Sequence, residues 1–111
     1  MLRAGYSISE DGIIQYQMGY GADEFGKVLN GTFSGEKSGY RCDPVSPHHW
    51  RITQIDNPLQ ITIQVSEQPP RRLGLFAIPV LRVEFNLHDS KPDLQAKFFE
   101  RFFKYFHKGG G

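Results

Sequence analysis

A single cysteine, Cys42, among 111 residues excludes an internal disulfide and any multi-cysteine zinc knuckle. No stretch approaches the roughly 18 consecutive apolar residues of a membrane-spanning helix. The opening M-L-R-A-G-Y-S-I-S-E also lacks the apolar run of a secretory signal. A soluble, cytoplasmic protein with no membrane partner is the expectation. Neither sign of charge dominates, because 13 Lys and Arg stand against 12 Asp and Glu for a net +1. That balance disfavours broad electrostatic attachment to nucleic acid or anionic membrane. Phosphate-binding loops are missing too. Gly19 to Gly26, G-Y-G-A-D-E-F-G, lacks a Lys-Ser/Thr ending, and its third glycine falls outside the G-x-G-x-x-G spacing. These glycines are turn formers, and no cofactor is expected.

What the chain does have is aromatic residues, 14% of the total, gathered at one end. Pro92 to His107 reads P-D-L-Q-A-K-F-F-E-R-F-F-K-Y-F-H. At about 100° per residue, Leu94, Phe98, Phe99, Phe102, Phe103, Tyr105 and Phe106 occupy about half of a helix surface. Burying one phenylalanine contributes roughly 1.5–3 kcal/mol, so the rest of the fold is expected to cover this helix. Ser90 and Asp93 resemble a capping box, and Pro92 suits a first helical turn.

The preceding chain reads mostly as strands. Tyr6–Met18 alternates around Asp11-Gly12 and predicts a hairpin. Residues 21–33 predict a short helix with Phe25, Val28 and Leu29 inward and Asn30-Gly31 as its stop, in preference to a hairpin at Asn30-Gly31. Pro44 and Pro47 confine the segment after Tyr40 to an edge strand or a loop. Residues 50–55 form a further strand. Leu59, Ile61, Ile63 and Val65 then alternate with polar residues until Pro69-Pro70, where the strand is expected to break. After an apolar run and a break or bulge at Pro79, Leu81, Val83, Phe85 and Leu87 repeat the pattern. Consecutive strands with a terminal helix predict an α+β two-layer sandwich, mostly antiparallel, with the aromatic helix on one face. Residues 1–108 are read as one domain and residues 109–111 as a flexible glycine tail. A diglycine end resembles the tail of ubiquitin-like sulfur carriers, but those reach it from a strand and this chain from a helix.

Four groups of residues are candidates for function. One apolar sheet face can cover one stripe of the helix, with Leu94, Phe98, Phe102 and Tyr105 inward. Phe99, Phe103 and Phe106 are then left as a surface for a second copy, a protein partner or a small apolar ligand. Cys42, Asp43, His48 and His49 are the one cluster of catalytic or zinc-ligand types. Adjacent histidines in an extended chain point to opposite faces, so surface residues on a rigid loop are favoured there. Arg71, Arg72 and Arg82, with Arg101, Lys104 and Lys108, could form a basic patch. The outward strand positions carry Gln, Thr and Ser rather than rings on which bases stack, so nucleic-acid binding is disfavoured. The sequence therefore points to a binding module acting through homodimerisation or protein-partner binding at the aromatic helix and the adjacent sheet. An enzyme or metal protein, and a nucleic-acid binder, are the alternatives.

Overall fold

Period-two alternation along the strands places one apolar face on a single sheet, and two amphipathic helices cover it. The computed structural model describes residues 7–8 and 12–106. In chain order the elements are β1 (Ser7–Ile8), β2 (Ile13–Met18), α1 (Ala22–Thr32), a 3₁₀ turn (Glu36–Ser38), β3 (Tyr40–Ser46), β4 (His49–Gln54), β5 (Gln60–Leu73), β6 (Phe76–Asn86) and α2 (Pro92–Tyr105). The sheet order is β1-β2-β6-β5-β4-β3, and every neighbouring pair is antiparallel. This is the expected α+β two-layer sandwich. The glycine tail, His107 and Lys108 lie outside the described residues.

Register explains the core. Tyr16 pairs with Val83, which pairs with Val65, and all three are buried on the helix side. Ile52, Ile61, Ile63, Leu81 and Phe85 continue that face at 0% exposure. The opposite face carries Gln15, Thr62, Gln64, Arg82, Glu84 and Asn86 and is open, as a half-wetted antiparallel sheet should be.

The first hairpin forms, with Ile8 opposite Ile14 and Gly12 at φ +74°. Asp11, the other predicted turn residue, lies outside the described residues. Residues 22–32 are helical, and the helix runs through Asn30-Gly31 to Thr32 instead of stopping there. Tertiary contact holds the last turn: Arg101 Nε donates to the Thr32 carbonyl at 2.7 Å, and Thr32 Oγ1 donates to the Val28 carbonyl at 2.7 Å. β3 is the sheet edge, where Pro44 costs no ladder bond on its outer side, and its register shifts between Pro44 and Ser46.

Two expectations are corrected. Pro69-Pro70 does not end β5, which continues to Leu73 through a register shift between Gln68 and Arg71. β6 runs through Pro79 without a break, and the irregularity expected there is present, because the register shift falls opposite Pro79, between the Gln68–Val80 and Arg71–Ile78 pairs. Among the described residues neither segment is flanked by a further strand at that height, so the missing amide hydrogens leave no carbonyl of a third strand unpaired. Ser90 does not cap α2, whose N-cap is Lys91 with no side-chain bond. Instead Ser90 Oγ donates to the Gln60 carbonyl at 3.1 Å and fastens the start of β5. Pro92 does occupy the first turn, as expected.

Candidate binding surface

α2 divides its aromatic residues differently from the helical-wheel reading. Leu94, Phe98 and Phe102 are buried as expected, but Tyr105 is 44% exposed and Phe106 only 2%. The helix ends at Tyr105, and Phe106 turns out of helical geometry at φ −102° and ψ 79°. Its ring then stacks on Phe102 at 4.2 Å and meets Phe25 at 5.0 Å and Tyr20 at 5.5 Å. Tyr105 instead lies outside under Arg101, whose guanidinium carbon is 5.3 Å from the ring centroid. Phe106 is thus a core residue, not part of an open flank.

Phe99 and Phe103 are half-buried against the core. Phe99 meets Phe85 edge-on at 5.1 Å, and Phe103 meets Tyr16 at 5.2 Å. α1 accounts for the remaining cover, because Phe33 at its end stacks on Phe98 at 4.9 Å and Phe25 contacts Phe102. The sheet covers one side of α2 and α1 another. Arg101 links the helices as well as sitting 6.0 Å from the Tyr40 ring centroid. Burial raises the Tyr40 phenol pKa, with the Arg101 charge pulling it partly back.

The Cys42 cluster is dispersed. Cys42 pairs with Ile52 and turns toward the helix layer, whereas Asp43 pairs with Arg51 on the open face. His48 occupies the β3–β4 turn at φ +67°, and His49 is opposite Gln64. Burial, with a smaller contribution from Asp43, pushes the Cys42 thiol up to about 11. A thiol held there is neutral and weakly nucleophilic. Among the described residues no three His, Cys, Asp or Glu side chains converge as metal ligands.

Among the described residues, four of the exposed large hydrophobic side chains gather at one place that the sequence did not single out. Beyond the Met18–Leu81 pair β6 has no β2 neighbour, and beyond the His49–Gln64 pair β5 has no β4 neighbour. The two strands continue alone as a ribbon closed by Gly74-Leu75, between Leu73 and Phe76. Gly74 supplies the positive φ, +61°, that a two-residue hairpin turn needs. From Gln68 to the turn the ribbon spans about 20 Å at 3.3 Å per residue, and the molecule measures 48 × 30 × 24 Å overall. Every residue from Pro69 to Pro79 is exposed. Leu75 is 103% exposed, Phe76 74% and Leu73 54%.

The arginines sort along this arm. Arg71 pairs with Ile78, which shares the open sheet face with Arg82 and Glu84, while Arg72 pairs with Ala77 on the opposite face. The predicted patch is therefore divided between two faces of one ribbon. At the arm's base Glu67 accepts a 3.4 Å hydrogen bond from the Ala22 amide at the N-terminus of α1, where a carboxylate is favoured. The L-G-L-F-A-I run carried the signal: exposed apolar runs of this length are rare unless they are used. A run of that composition could equally be a buried strand, so burial had to be known first.

No family model, curated protein or solved structure matches this chain. Among the described residues no helix is long and apolar enough to cross a membrane.

Proposed function

We propose that this chain is a binding module whose contact element is the β5–β6 arm. The observation that carries the reading is the tip itself: Leu73, Leu75, Phe76 and Ile78 are all exposed on a projecting ribbon. Exposing contiguous apolar area to water is unfavourable and promotes aggregation, so it is ordinarily reserved for contact. Both free edges of the arm carry proline, Pro69-Pro70 on β5 and Pro79 on β6, which blocks pairing with a stray strand. The arm is thus built to bind through its tip and faces.

The test is a photoreactive phenylalanine analogue placed at Leu75, with the same group at Ile55 as control. Ile55 is 54% exposed but lies off the arm. A discrete adduct at Leu75, to a lipid or a macromolecule and absent from Ile55, is the expected result. Equal labelling at both positions overturns the reading.

A second reading, self-association through the helix flank, is supported by Phe99 and Phe103, which are half-buried, and by Tyr105, which is exposed. Light scattering across concentration tests it. A dimer that Phe103→Asp converts to a folded monomer supports it, and a monomer at every concentration rejects it.

A further inference from the structure

We infer that the arm's partner is an anionic lipid surface, into which the Gly74-Leu75 turn inserts; this rests on the arm being the contact element. Three properties of the arm point there. The first is charge segregation. Residues 68–80 hold two arginines and no Asp or Glu, for a charge of +2, and subtracting that from the chain's +1 leaves −1 elsewhere. The near-neutral total conceals a molecule whose arm is positive and whose body is negative, which orients the arm toward an anionic surface.

The second is symmetry about the arm's axis. A ribbon that lies in a protein groove has a dry face and a wet face. Here Leu73 to Leu81 has no polar side chain, so neither face is wet. Leu73, Phe76 and Ile78 occupy one face and Ala77 and Pro79 the other. Arg71 and Arg72 also lie on opposite faces, at neighbouring heights. An apolar tip with a cationic collar on both sides suits a medium that surrounds it.

The third is depth. The collar lies two to three residues behind the turn, roughly 7–10 Å at strand spacing. Interfacial elements sink their apolar side about 5–10 Å below the headgroups. With Leu75 and Phe76 among the acyl chains, Arg71 and Arg72 stand at the phosphates, where a guanidinium makes paired hydrogen bonds. Binding of this kind lies on the surface and needs no spanning helix.

The experiment is co-sedimentation of the full chain with phosphatidylcholine vesicles, with and without phosphatidylserine, at low and high salt. Binding to the phosphatidylserine vesicles that weakens with salt is expected. Each arginine removed should weaken it about fivefold, so Arg71→Gln with Arg72→Gln costs about 25-fold. Leu75→Asp with Phe76→Asp should abolish it while leaving the thermal transition unchanged. Tryptophan introduced at Leu75 should be quenched by brominated acyl chains, and tryptophan at Ile55 should not. No binding to either vesicle overturns the lipid assignment, as does binding that survives the aspartate pair. If vesicles fail but Leu75 still gives a position-specific adduct to a protein or a second copy, the arm reading stands and only the lipid falls.

Discussion

Gly26 and Trp50 are fitted to one another: a Cβ at residue 26 would lie 3.0 Å from Cζ2 of Trp50. The glycine, which weakens α1 by about 1 kcal/mol relative to alanine, lets the indole lie across the helix. There Trp50 also meets Phe25, at 5.7 Å. Alanine at 26 therefore gains helix propensity and loses ring contact. In the wild-type background Gly26→Ala should yield less than the full 1 kcal/mol or destabilise. In a Trp50→Ala background, where the obstruction is gone, the same change should stabilise by about 1 kcal/mol. Urea unfolding of the four proteins measures this, and additive effects would refute the coupling.

Phe106 and its neighbour Tyr105 should respond oppositely to truncation. Phe106→Ala removes a ring closed in by Phe25, Tyr20 and Phe102 and should cost about 3–5 kcal/mol. Tyr105→Ala removes a largely exposed ring and should cost under about 1 kcal/mol. Similar costs for the two would mean that α2 continues past Tyr105. Chemical denaturation at neutral pH suffices to compare them.

Arg101 is more than a solvated charge on α2. Its Nε donates to the Thr32 carbonyl at the end of α1, where a cation also complements the helix dipole. Arg101→Ala should cost about 1–3 kcal/mol, because it leaves a part-buried carbonyl without its donor. Hydrogen exchange should show the loss concentrated in residues 28–33. Uniform loss across the chain would argue against this local role.

The Cys42 thiol should be slow to alkylate in the native state. With its pKa raised from 9.0 to about 11 by burial and then Asp43, its thiolate fraction at pH 8 falls on the order of 100-fold. The linkage has a defined sign. Folding favours the neutral thiol, so its contribution to stability is full below pH 9 and is lost as pH rises toward 11. Cys42→Ser should flatten the thiol's part of that alkaline decline. Native alkylation as fast as that of the unfolded chain would contradict the burial.

The arm's prolines should act as edge guards. Replacing Pro69, Pro70 and Pro79 together with threonine restores three amide hydrogens to the arm and removes the rings from its strands. Concentration-dependent association, seen as rising turbidity or sedimentation, is expected. Continued solubility at high concentration would show that the prolines serve the ribbon's geometry alone.

The strand alternation of residues 59–65 and 81–87, the edge position of Pro44 and the aromatic stripe of α2 could all be read from the residues in order. The strands and the stripe rest on local periodicity, which follows from backbone geometry, and the Pro44 reading, an edge strand or a loop, rests on its missing amide hydrogen. The lone cysteine and the missing zinc or phosphate spacing were equally plain. Tertiary structure decided the rest. Whether Asn30-Gly31 stops a helix depended on Arg101, sixty-nine residues from Thr32. Which of Tyr105 and Phe106 is buried depended on where α1 places Phe25. Pro69-Pro70 could stay within a strand because, among the described residues, no third strand lies beside it. The L-G-L-F-A-I run is the clearest case, since its residues suit a buried strand as well as an exposed tip. Only the lengths of β2 and β4, which end before the arm begins, leave that run in water.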